Sequence, residues 1–173
     1  MRRALAVLVV VAAVLSASAC VNTSSLRTPE QARKRAQWAR MEAAGCRNDA
    51  QAHQMLIAES RKKREVHEVD IDILRQQRED IEKSVKATQD QLERASAEEL
   101  PALSRTLDKY RRDAHMVDIQ IADQKVHMRV LDDHISMQTA NRNALLWAAE
   151  RYEAEARQYD AIAEQIEVQA RNQ

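Results

Sequence analysis

Histidine and aspartate side chains give this sequence its best candidates for metal chemistry. His127 and His134 lie seven residues apart, which puts them on one face of a helix. If the chain folds back near residue 100, His67 comes opposite residue 133, beside His134. Helical bundles build metal sites from imidazole and carboxylate groups on facing helices. The three histidines are therefore metal-ligand candidates. The competing interpretation, that they are polar residues in and beside a helix contact, leads us to predict no bound metal.

Catalytic patterns are missing from the sequence. With one glycine in 173 residues there is no glycine-rich phosphate loop, and C-x-x-C and H-E-x-x-H are absent too. We predict that the protein is not an enzyme and has no catalytic residues. We also expect no cofactor other than a covalent lipid. Basic and acidic residues are equal in number, 27 each, and are interleaved, which argues against nucleic acid as a partner.

The first residues have the composition of an export signal. Two arginines follow Met1, and an apolar run of about a dozen residues then extends from Ala4 to Leu15. This run is too short to span a bilayer as a helix. Residues 1–19 are therefore predicted to be a signal peptide.

The small residues Ser16 to Ala19 and the cysteine that follows them resemble the lipobox of bacterial lipoprotein precursors. The resemblance implies cleavage before Cys20, acylation of Cys20, and a lipidated tether at residues 20–28. It also implies a cell-membrane or outer-membrane location facing the periplasm, and Val21 favours the outer membrane. The alternative is an ordinary A-x-A cleavage site, with Cys20 free to form a disulfide with Cys46.

Apolar residues recur at alternating spacings of four and three over Leu103–Ala170 and again over His67–Ala95. This heptad pattern is typical of a coiled coil. Residues 96–101 contain Pro101, which disfavours helix just before it, so the turn is expected there. We predict an all-α fold: a long antiparallel coiled-coil helical hairpin over residues 29–173. The only glycine, Gly45, suggests a break or bend in the first helix.

A second apolar stripe lies on the opposite face of the long helix, from Met116 to Val168. A helix that is apolar on two faces must be covered on both. Two coverings are open: residues 28–44 could fold back as a short third helix at the amino-terminal end, or hairpins could pack side by side. The second covering predicts a homo-oligomer.

These patterns favour a protein that works by binding. We predict a lipid-anchored scaffold or adaptor that docks partner helices through its coiled-coil faces. Leu100 and Pro101 at the turn and Trp147 on the second stripe are the candidate contact residues. The alternative function is a periplasmic chaperone or a hairpin that senses metal or stress.

Overall fold

The computed structural model of the chain describes residue 26 and residues 28–172, so the leader and Cys20 lie outside the described residues. The described chain forms helix α1, Pro29–Leu92, and helix α2, Leu100–Arg171. The two helices pack against each other in antiparallel directions, and no strand occurs among the described residues. The predicted all-α helical hairpin is therefore confirmed. No helix in the described part of the chain is long and apolar enough to cross a membrane.

Local side-chain chemistry sets where each helix begins. The backbone N–H of Gln31 donates to the Thr28 hydroxyl at 3.2 Å, so Thr28 caps α1, and Pro29 occupies the first helical position. At the turn, the Ser96 backbone N–H and hydroxyl both donate to the Glu99 carboxylate, at 2.9 and 2.8 Å. These bonds hold the turn that precedes α2, and they keep the pKa of Glu99 below its ordinary value.

The expected break at Gly45 is wrong, because α1 is helical from Pro29 to Leu92 without interruption. Gly45 has no positive φ, and a Cβ added there would meet nothing within 4 Å. The strong helix formers on both sides outweigh the cost of one glycine, about 1 kcal/mol. Residues 29–44 are consequently the first part of α1, and a separate third helix is not present in the described chain.

The hairpin divides into two units. The terminal unit contains the described residues up to 56 together with residues 137–172, and the turn-side unit contains residues 57–136. In both units the residues predicted to form the helix contact, here called the seam, are buried or half-buried, apart from Ala170 at the end of α2. The heptad prediction is therefore confirmed residue by residue over almost its whole length.

The seam of the terminal unit consists mainly of alanine. Its buried apolar residues are nine alanines and one tyrosine: Ala32, Ala36, Ala39, Ala43, Ala50, Ala148, Ala149, Ala156, Ala163 and Tyr159. Ala36, Ala39, Ala156 and Tyr159 form one cluster. Beside the seam, the Trp38 and Tyr152 rings meet edge to face with their centroids 6.0 Å apart. Small side chains thus make up most of the buried residues in this contact, and aromatic rings add a few larger side chains.

Charged pairs join the helices along one flank of the terminal unit. Arg33, Arg40 and Arg47 of α1, spaced seven residues apart, bind three carboxylates of α2 with the same spacing: Glu167, Asp160 and Glu153. In each pair the two residue numbers add to 200, the antiparallel register expected from the sequence. Such exposed pairs contribute little stability, but their repetition favours one alignment of the helices.

The turn-side unit has a seam of larger side chains. Ile57, Ile71, Leu107 and Val117 are buried, and most of the remaining apolar seam residues are half-buried. Two arginines sit at seam positions here, and each binds an aspartate of α2: Arg64 with Asp132 at 2.8 Å and Arg78 with Asp118 at 3.1 Å. Branched apolar residues therefore provide the core of this unit, with charged groups at its edge.

Candidate functional site

The outer face of α2 is an extended, partly apolar surface that the hairpin itself leaves uncovered. We define it as the face opposite the seam, formed by Met116, Ile119, Asp123, Val126, Val130, Asp133, Met137, Ala140, Ala144, Trp147, Arg151, Ala154, Gln158, Ala161, Gln165 and Val168. Each of its large apolar side chains is about half exposed or more, from 45% for Met137 to 61% for Val130. Apolar exposure repeated along one helix face is typical of a surface that binds another helix.

Trp147 was predicted to be either a partner anchor or core beneath a third helix. It is 46% exposed, and since residues 29–44 belong to α1, no third helix covers it within the described part of the chain. The guanidinium carbon of Arg151 lies 4.9 Å from the Trp147 ring centroid, a cation–π contact. The contact packs the guanidinium against an indole that stays about half exposed.

The turn presents the other two predicted contact residues. Leu100 begins α2 and is 41% exposed, and Pro101 is exposed beside it. A shallow groove next to them is lined by Asp90, Arg94, Glu99 and Leu103, among others. The turn therefore offers one apolar side chain beside a mixed-charge groove, a much smaller apolar surface than the outer face of α2.

The candidate metal ligands separate into two contacts, both in the turn-side unit. His67 and His127 stack with centroids 5.4 Å apart and planes 17° from parallel. His67 Nδ1 is hydrogen-bonded to the Gln124 amide oxygen at 2.5 Å, and His127 lies 3.8 Å from Asp123. The first contact is thus a ring stack supported by an amide.

His134 takes part in the second contact, in which its Nδ1 is 2.9 Å from the Ser60 hydroxyl. The expected meeting of His67 with His134 does not occur. A fold-back near residue 100 places His67 opposite residue 133, but in the structure His67 contacts Gln124 and His127. No three His, Cys, Asp or Glu side chains converge on a common point among the described residues. His67 and His134 thus hydrogen-bond across the seam, and His127 stacks on His67.

His53 was missed by the sequence reasoning. In the terminal unit its Nδ1 is 2.5 Å from the Gln138 amide oxygen, and Gln138 is buried. A signal was present in the sequence, because His53 precedes His67 by two heptads and Gln124 precedes Gln138 by the same interval. The repeated spacing identifies a His–Gln pair that occurs once in each unit.

Cys46 is half-buried at a seam position of the terminal unit. Burial raises the pKa of its thiol, and the nearby Asp49 and Glu42 carboxylates raise it further. A thiol with a raised pKa stays protonated near neutral pH and is a weak nucleophile. These surroundings favour the interpretation of Cys46 as an inert packing residue.

No family model, curated protein sequence or solved structure matches this chain.

Proposed function

We propose that the protein is a lipid-anchored coiled-coil scaffold of the bacterial cell envelope that binds partner helices. The observation that carries this proposal is the outer face of α2, whose apolar side chains are exposed at helical spacing. Leaving such a face in water is unfavourable, and a second helix would cover it by knobs-into-holes packing. The proposal assigns no catalytic role to any residue and no partner role to nucleic acid.

The anchor in this proposal is an acyl group on Cys20, supported by the lipobox-like residues before it. The test is metabolic labelling with a palmitate analogue and separation of membranes in cells that make the full chain. We expect the wild-type protein to be labelled and to sediment with membranes, and the Cys20→Ser variant to lose the label. The Cys46→Ser variant is the matched control and should keep it. Label that persists in Cys20→Ser would overturn the anchor.

The binding surface can be mapped with a photoreactive amino acid placed in the full chain in living cells. On the outer face of α2 we would place it at Val126, which is 53% exposed. The matched control is Gln76, an exposed polar residue on the outside of α1. Crosslinks to a protein at Val126 and none at Gln76 would support helix binding. Equal or absent crosslinking at both positions would contradict it.

A periplasmic chaperone is the second candidate function, since an apolar face exposed in the folded chain could also hold unfolded clients. The two functions differ in how stably the face is covered. A chaperone leaves the face open, so the purified full chain would bind a hydrophobic dye and slow the aggregation of a denatured client. A scaffold that is stably covered would do neither.

A further inference from the structure

The occupant of the outer face can be sought in the pattern of charges on that face. Its large and small apolar residues alternate with five polar ones, of which Asp123 and Asp133 are acidic and Arg151 is basic. A partner helix that sets a base opposite an acid of this face, or an acid opposite its base, is favoured over one that does not.

We propose that the partner on this face is the outer face of α2 from a second copy of the same chain, in antiparallel orientation. This inference rests on the proposed function, because it identifies the helix that the scaffold binds. A twofold axis beside residue 142 places residue i opposite residue 284 − i of the second copy. Such a contact is isologous, so both copies use the same surface.

Two independent criteria select this register. The first is overlap: Met116 faces Val168, at the two ends of the face, so both stripes are covered along their full length. The second is charge: Asp133 faces Arg151 of the second copy, and Arg151 faces Asp133. A shift of one heptad in either direction shortens the overlap and leaves both charges opposite uncharged residues. A parallel in-register pair would instead place each charge against its like.

Side-chain size fits the same register. At the axis Ala140 faces Ala144, two small residues that allow close approach of the two helices. One layer away Met137 faces Trp147, a thioether against an indole, which is a favourable contact. Asp123 faces Ala161 and keeps its neighbour His127 on its own helix, 3.8 Å away. The contact thus consists of a small centre, bulky residues beside it, and one ion pair on each side.

The test is charge reversal in the full chain, purified in mild detergent, with the dimer dissociation constant measured by sedimentation equilibrium. We expect the wild type to be dimeric. Arg151→Asp and Asp133→Arg should each weaken dimerisation by about tenfold or more, because like charges then meet in the contact. The double variant should restore dimerisation to within about threefold of the wild type. Arg111→Asp, at an exposed arginine of the same helix outside the contact, should have no effect.

Orientation is tested separately in a Cys46→Ala background. A mixture of Met116→Cys and Val168→Cys chains should form the mixed disulfide, and homodisulfides at residue 116 alone would overturn the antiparallel arrangement. A monomeric wild type, or a double variant that fails to recover, would overturn the dimer. Helicity measured by circular dichroism identifies any variant that has lost its fold. If the wild type is monomeric while Val126 still crosslinks another protein, the self-association fails and the proposed function stands.

Discussion

The terminal and turn-side units follow the same heptad pattern but fill the seam with different residues. The terminal unit buries alanines and adds a row of arginine–carboxylate pairs on one flank. The turn-side unit buries isoleucine, leucine and valine, and fixes its alignment with arginines at seam positions. Heptad spacing thus determines which residues of each helix lie in the seam. The size of those residues determines which kind of substitution destabilises each unit. A seam of large side chains is sensitive to truncation, whereas a seam of alanines is sensitive to enlargement.

Truncation in the turn-side unit should have the largest effect. Ile71 is 5% exposed, so Ile71→Ala removes a buried side chain and leaves a cavity. We expect a loss of about 3 kcal/mol in the free energy of unfolding, measured by urea denaturation. Ile73→Ala, at an exposed isoleucine of the same helix, is the matched control and should change stability by less than about 0.5 kcal/mol. Equal losses in the two variants would contradict the assignment of the seam.

Enlargement in the terminal unit should have the next largest effect. Ala39 is fully buried in the cluster with Ala156 and Tyr159. Ala39→Leu adds volume to a packed contact, so we expect a loss of about 2 kcal/mol in the same assay. Ala44→Leu adds the same atoms at an exposed position of α1 and should be nearly neutral. A gain in stability from Ala39→Leu would show that this seam has room to expand.

The smallest of the three expected effects on stability is that of acid on the charged pairs along the flank of the terminal unit. A hydrogen bond from Arg47 holds the pKa of Glu153 below its ordinary value of 4.5. A carboxyl whose pKa is lower in the folded state stabilises the fold above its unfolded pKa, and this contribution disappears as the pH falls through the folded pKa. The stability difference between wild type and Glu153→Gln should therefore close as the pH is lowered from about 6 to about 3.

Arg47→Gln is the second variant in this measurement, because it removes the other half of the same pair. It should lose its difference from the wild type over the same pH range. A difference that stays constant with pH in both variants would show that the Arg47–Glu153 pair does not contribute to stability.

Much of the fold could be predicted from the sequence. Spacings of four and three identified the seam residues of both helices, from Ile71 and Leu74 to Ala156 and Tyr159, because burial on a helix depends on position along the turn. The hairpin was predicted to begin at residue 29, and α1 begins there, with Thr28 as its cap. The outer face of α2 was also predicted, because the apolar residues from Met116 to Val168 recur at helical spacing in the sequence. The exported, acylated state of Cys20 stays a prediction, because that residue lies outside the described part of the chain.

Other features were decided only by the tertiary structure. Whether Gly45 ends a helix depends on the balance between its local cost and the helix-forming residues on both sides, and α1 continues through it. Which histidine meets which partner depends on a register difference of a few residues, so His67 stacks on His127 and His134 bonds to Ser60. Periodicity along one helix fixes the faces of that helix. The pairing of side chains across two helices is fixed only when both are packed, because a shift of a few residues there changes every partner.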